Sequence, residues 1–75
     1  MREDLYKAVE LVIERRVVEG KMSITLIQLQ ELMPGEDKEE LKECMRELAR
    51  RGRYKAGLTV NKIPVITRIE DELQD

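Results

Sequence analysis

Five cations fall within ten residues near the middle of the chain: Arg46, Arg50, Arg51, Arg53 and Lys55, with Glu47 the only carboxylate among them. Guanidinium and ammonium groups spaced this closely suit phosphate, because each can neutralise one backbone charge and release condensed counterions. Covalent chemistry has no comparable set of residues. The chain has no histidine, one serine and one cysteine, so neither a triad nor a Cys–His pair can be assembled. No cluster has metal-ligand spacing and no glycine-rich loop is present, so no cofactor and no enzymatic activity are expected.

The cations sit at the junction of two kinds of periodicity. Leu41, Cys44, Met45 and Leu48 recur at helical spacing as a single apolar stripe. Asp37 and Glu40 have the spacing of a capping box at its start, and Gly52 follows Arg50 and Arg51 where a helix would end on a left-handed residue. Beyond Gly52 the period falls to two: Tyr54, Ala56, Leu58 and Val60, then Ile63, Val65, Thr67 and Ile69. That alternation predicts a hairpin. Its turn is either a two-residue loop at Asn61-Lys62, with Asn taking the positive φ, or a longer loop over Leu58–Lys62 with Gly57 marking a bulge or earlier turn. Pro64 cannot donate to a ladder, so its nitrogen should face an edge or a bulge.

Upstream, residues 3–19 read as a first helix with Leu5, Val9, Val12 and Val17 or Ile13 on its main apolar face, ended by Gly20 and Lys21. Met22, Ser23 and Ile24 are short for a strand but can add a third strand to the hairpin. Thr25 and Gln28 form a second capping box, opening a short helix through Met33 that Pro34-Gly35 stops. Leu11 and Val18 share a separate side of the first helix. Either the C-terminal segment covers them, for example through Leu73, or they pack against a second subunit in a homodimer.

Helix, short strand, helix, tight turn, helix and hairpin, in that order, resembles the winged helix-turn-helix superfamily over nearly the whole chain. The resemblance rests on element order and punctuation rather than on a residue motif. It implies one α+β domain over residues 1–69: three helices with a C-terminal β-hairpin, extended to a small three-stranded sheet if Met22–Ile24 joins. Residues 70–75 form an acidic tail. It also implies duplex DNA as the partner and a transcriptional regulator or accessory factor as the role, with the third helix in the major groove and the wing on phosphates. Some such domains act instead as protein–protein modules.

Charge cuts both ways. At 75 residues and a net charge of −2, the chain is not the strongly basic domain that DNA binding often requires. Placed at 100° per residue, Lys38, Lys42, Arg46 and Arg50 run down one flank of the third helix, and Glu40, Glu43 and Glu47 down the other. On the DNA reading, Arg50, Arg51, Arg53, Lys55 and Lys62 hold phosphates while Lys38, Lys42 and Arg46 approach the groove. If the helix is simply solvated, Glu39 with Lys42, Glu43 with Arg46, and Glu47 with Arg50 or Arg51 are ordinary helical ion pairs. The protein reading draws instead on the net acidity, the acidic flank Glu40-Glu43-Glu47 and the near-absence of aromatic residues. Cys44, on the core stripe, reads as a small buried hydrophobe. A lone cysteine and the absence of any long apolar stretch predict a cytoplasmic protein.

Overall fold

The computed structural model describes residues 2–69, so the acidic tail and Leu73 lie outside the described residues. Three helices, α1 (Glu3–Val18), α2 (Leu26–Leu32) and α3 (Lys38–Arg50), and three strands, β1 (Ser23–Thr25), β2 (Tyr54–Leu58) and β3 (Pro64–Arg68), follow one another in the order α1-β1-α2-α3-β2-β3. The strands form one antiparallel sheet in the order β1-β3-β2. The fold is α+β.

Local signals set the helix ends. Thr25 and Gln28 complete both halves of a capping box at α2. At α3 the box is half made: Asp37 accepts from the amides of Glu39 and Glu40, but the Glu40 carboxylate reaches Arg2 instead of the Asp37 amide. Gly20 and Gly52 take φ of 89° and 97° just after α1 and α3. The Gly20 and Lys21 amides donate to the carbonyls of Val17 and Arg16, which closes the last turn of α1. Met33, Pro34, Gly35 and Glu36 form the tight turn that ends α2, with the Glu36 amide donating to the Met33 carbonyl.

The core is built from one face of each element: Leu5, Tyr6, Val9 and Ile13 of α1, Leu26 and Leu29 of α2, Leu41, Cys44, Met45 and Leu48 of α3, with Ile24, Tyr54 and Ile66 from the sheet. At about 25 cal/mol per Å² of apolar surface, burying these side chains is the main term holding so short a chain together.

The hairpin loop differs from the Asn61-Lys62 turn, and the difference changes which residues face the core. Thr59 and Ile63 pair, the Lys62 amide donates to the Thr59 carbonyl, and Lys62, not Asn61, takes the positive φ of 63°. This is a three-residue loop ending in a left-handed residue, which pairs Leu58 with Pro64 and Ala56 with Ile66. A two-residue loop would shift the register by one and turn the other side of β3 inward. Val65 and Thr67 are therefore outward, and Ile66 is the core residue of β3. Gly57 pairs with Val65 in unbroken register, so it marks neither a bulge nor a turn. Pro64 opens β3 one residue beyond the last pair with β1, where no ladder partner needs its missing N–H.

Candidate nucleic-acid interface

α3 has two unlike flanks, and the fold treats them differently. The acidic flank lies against α1. Arg2 reaches Glu40 at 3.2 Å, and Arg51 bridges Glu47 at 2.9 Å and Glu3 of α1 at 3.0 Å. Arg50 completes the cluster with a two-pronged pair to Glu47, at 2.9 and 2.7 Å. Hydrogen bonds from Arg50 and then Arg51 hold the Glu47 carboxyl down at about 2, far below the ordinary glutamate value. Arg51 also lies 4.0 Å from the ring centroid of Tyr6, a cation–π contact. Arg51 is thus a bracket between α1 and α3, and Arg50 is half of an ion pair.

The basic flank faces the hairpin. Lys42 and Arg46 form one wall of a groove of about 200 Å³ whose other wall and floor are Met45, Ala56, Gly57, Leu58, Pro64, Val65 and Ile66. Lys38 is the first residue of α3 and is exposed. Lys42 pairs with Glu39 at 3.8 Å, whereas among the described residues Lys38, Arg46, Arg53, Lys55 and Lys62 form no ion pair. The expected pairs of Glu39 with Lys42 and of Glu47 with Arg50 and Arg51 are present, and Glu43 with Arg46 is not.

The eight cations singled out in the sequence therefore do not form one patch. Lys38, Lys42 and Arg46 share the α3 flank beside the hairpin. Lys62 stands in the loop at its tip. Lys55 pairs with Thr67, on the face of the sheet turned away from the core, where Ser23 and Thr67 share a hydrogen bond of 2.9 Å. Arg53 sits at the base of the hairpin, lining a cavity of about 240 Å³ with Tyr6, Lys7, Glu10 and Arg51. Arg68, on β3 opposite Tyr54, lies apart from these cations and turns inward to Glu14 at 3.0 Å.

That inward turn belongs to a network invisible in the sequence. Tyr54 donates its hydroxyl to Glu14, Arg68 donates to the same carboxylate oxygen, and the Arg68 guanidinium lies 5.9 Å from the Tyr54 ring centroid. Burial raises the Glu14 carboxyl, but the Tyr54 and Arg68 hydrogen bonds outweigh it and leave the group below its ordinary value. Burial, then the Glu14 carboxylate, pushes the Tyr54 phenol up. Cys44 is fully buried, and its thiol is pushed up by that burial and by Glu43 and Glu40.

Leu11 and Val18 are 55% and 87% exposed, so nothing among the described residues covers either. Among the described residues no group of histidine, cysteine and carboxylate side chains can hold a metal ion, and no helix is long and apolar enough to cross a membrane. No family model, curated protein or solved structure matches the chain.

Proposed function

We propose that the domain is a winged helix that binds duplex DNA, as a transcriptional regulator or accessory factor, through α3 and the hairpin. The observation that carries this reading is the sorting of charge on α3. The carboxylates of Glu40 and Glu47 are neutralised by Arg2, Arg50 and Arg51 on the α1 side, while Lys38, Lys42 and Arg46 are presented beside a hairpin tipped by Lys62. Unpaired carboxylates facing phosphate would repel it; paired with arginine, Glu40 and Glu47 repel little, and of that flank Glu43 alone is exposed without an ion pair among the described residues.

The phosphate contacts belong to Lys42, Arg46 and Lys62, with Arg50 joining only by exchanging Glu47 for phosphate. Titration of a labelled duplex at several salt concentrations tests this. Replacing Lys42, Arg46 and Lys62 together with Ala should lower affinity for every sequence alike and flatten the log K against log salt slope by about 0.9 per lost contact. An unchanged slope in that variant would refute the reading.

A protein-interaction module without nucleic-acid binding is the second reading. Leu58 and Val60, 64% and 98% exposed, favour it, since a wing laid on phosphate has little use for bare apolar side chains at its end.

A further inference from the structure

The two edges of the sheet are finished differently. In an antiparallel ladder, alternate residues of an edge strand turn their N–H and C=O groups away from the sheet. The Ile69 amide donates to the Arg53 carbonyl and the Thr59 amide to the Ile63 carbonyl, so the odd-numbered residues of β2 bond to β3. By the same count Ala56 and Leu58 present their backbone groups outward. On β1, where the Arg68 amide donates to the Met22 carbonyl, the outward residues are Ser23 and Thr25. That edge is closed: Arg16 donates to the Ser23 carbonyl at 3.0 Å, and the Thr25 amide donates to the Gln28 side chain at 3.0 Å. The β2 edge is open. Both outward residues are exposed, and among the described residues no side chain or loop hydrogen-bonds to their backbone.

Gly57 lies between them. Glycine weakens a strand, and this one is not required by the fold: its φ is not left-handed, and an added Cβ would meet only Val65 Cγ1, at 4.0 Å. A glycine in a strand interior often marks the approach of another backbone. Beside the same strand runs the groove under Lys42 and Arg46, whose lining holds no carboxylate.

We propose that the open edge of β2 takes an extended peptide as a further antiparallel strand, with alternating apolar and acidic side chains. Its backbone bonds to Ala56 and Leu58. Its side chains alternate between the two faces of the sheet: the acidic ones, on the α3 side, meet Lys42 and Arg46 at the mouth of the groove, and the apolar ones lie on the other face over Gly57, towards Val65. A second copy of β2 fits worse, because self-pairing would gather Lys42, Arg46, Lys55 and Lys62 of both copies along one seam. This site does not depend on DNA binding. Because Lys42 and Arg46 serve both, an acidic strand bound there would compete with a duplex.

The test is a fluorescence titration with a short labelled peptide of alternating glutamate and valine, with amide NMR on the same samples. Saturable binding, with the largest shifts and slowed hydrogen exchange at Ala56 and Leu58, is expected; the same peptide with lysine for glutamate should not bind. Ala56→Pro removes an outward N–H that β3 does not use, so it should weaken binding by about tenfold while circular dichroism stays native. If that variant misfolds, K42E/R46E decides in its place. Full affinity in a folded Ala56→Pro protein, or in K42E/R46E, would overturn the proposal. So would peptide shifts confined to α1, or Ala56 and Leu58 shifts that grow with protein concentration alone, which would mean that the edge pairs with itself.

Discussion

The two ends of the hairpin have opposite characters. At the base, Tyr54 is buried, its hydroxyl meets Glu14, and Arg68 clamps the same carboxylate from β3. At the tip, Leu58, Val60 and Lys62 stand in solvent and Lys62 holds a left-handed backbone. The strands are continuous between the two. One end fixes the hairpin against α1, and the other is left in solvent. Substitutions at the base should act on stability, those at the tip on binding.

The largest contrast is expected between Tyr54→Ala and Leu58→Ala. Removing a buried aromatic ring costs about 3–5 kcal/mol. A domain of this length is stable by only about 4–11 kcal/mol, so Tyr54→Ala should leave a marginal fold in urea denaturation. Leu58→Ala should cost less than about 1 kcal/mol, since most of that side chain is already in water. Equal losses at the two positions would mean that the tip is packed against something after all.

Next in size is the parity of β3. Ile66→Ala should cost about 2–5 kcal/mol, against about 1 kcal/mol for the half-buried Val65→Ala. A reversed order would show that the loop holds the two-residue register and that the inward face of β3 has been exchanged.

That register was the main feature the sequence did not reveal. Helix periods, caps and glycine ends were legible because each is a short-range signal: Leu41, Cys44, Met45 and Leu48 are all buried, and Thr25, Gly20 and Gly52 do what their spacing indicates. The alternation in β3 favoured the wrong face, because Ile63, Val65 and Ile69 make a longer apolar run at period two than Ile66 does between its neighbours Pro64 and Arg68. Only the loop length chooses between the two faces, and it does so by placing a lysine where asparagine would be expected. The site was legible as a list of cations but not as a surface. Arg51 reaches Glu3, and Arg68 reaches Glu14, only after α1 has docked, and nothing near either arginine in the sequence signals it.

A smaller effect should appear in acid. The folded-state carboxyl of Glu47 is depressed to about 2 from an ordinary 4.5, so its contribution is complete above pH 4.5 and is lost as pH falls towards 2. Glu14 is shifted in the same direction. Chemical denaturation followed between pH 6 and 2 should therefore show stability falling mainly below about pH 4.5. Glu47→Gln should be less stable at neutral pH and should show a shallower acid limb. A variant with an undiminished acid limb would place the proton uptake on other carboxylates.

The smallest expected change separates the two ends most cleanly. Lys62 carries a side chain at φ 63°, a conformation that costs an L-residue about 1–2 kcal/mol and costs glycine almost nothing. Glycine gives part of that back through its freer unfolded chain, so Lys62→Gly should gain at most about 1 kcal/mol, or a few degrees in Tm. The same substitution removes the cation nearest the end of the hairpin. On the DNA reading, affinity should fall and the salt slope should flatten by about 0.9, while thermal stability rises. A protein that grows more stable and binds less well would show that the strain at the tip is retained for its charge. If binding is unchanged while stability rises, Lys62 makes no phosphate contact, and any binding at the hairpin tip falls to Leu58 and Val60 instead.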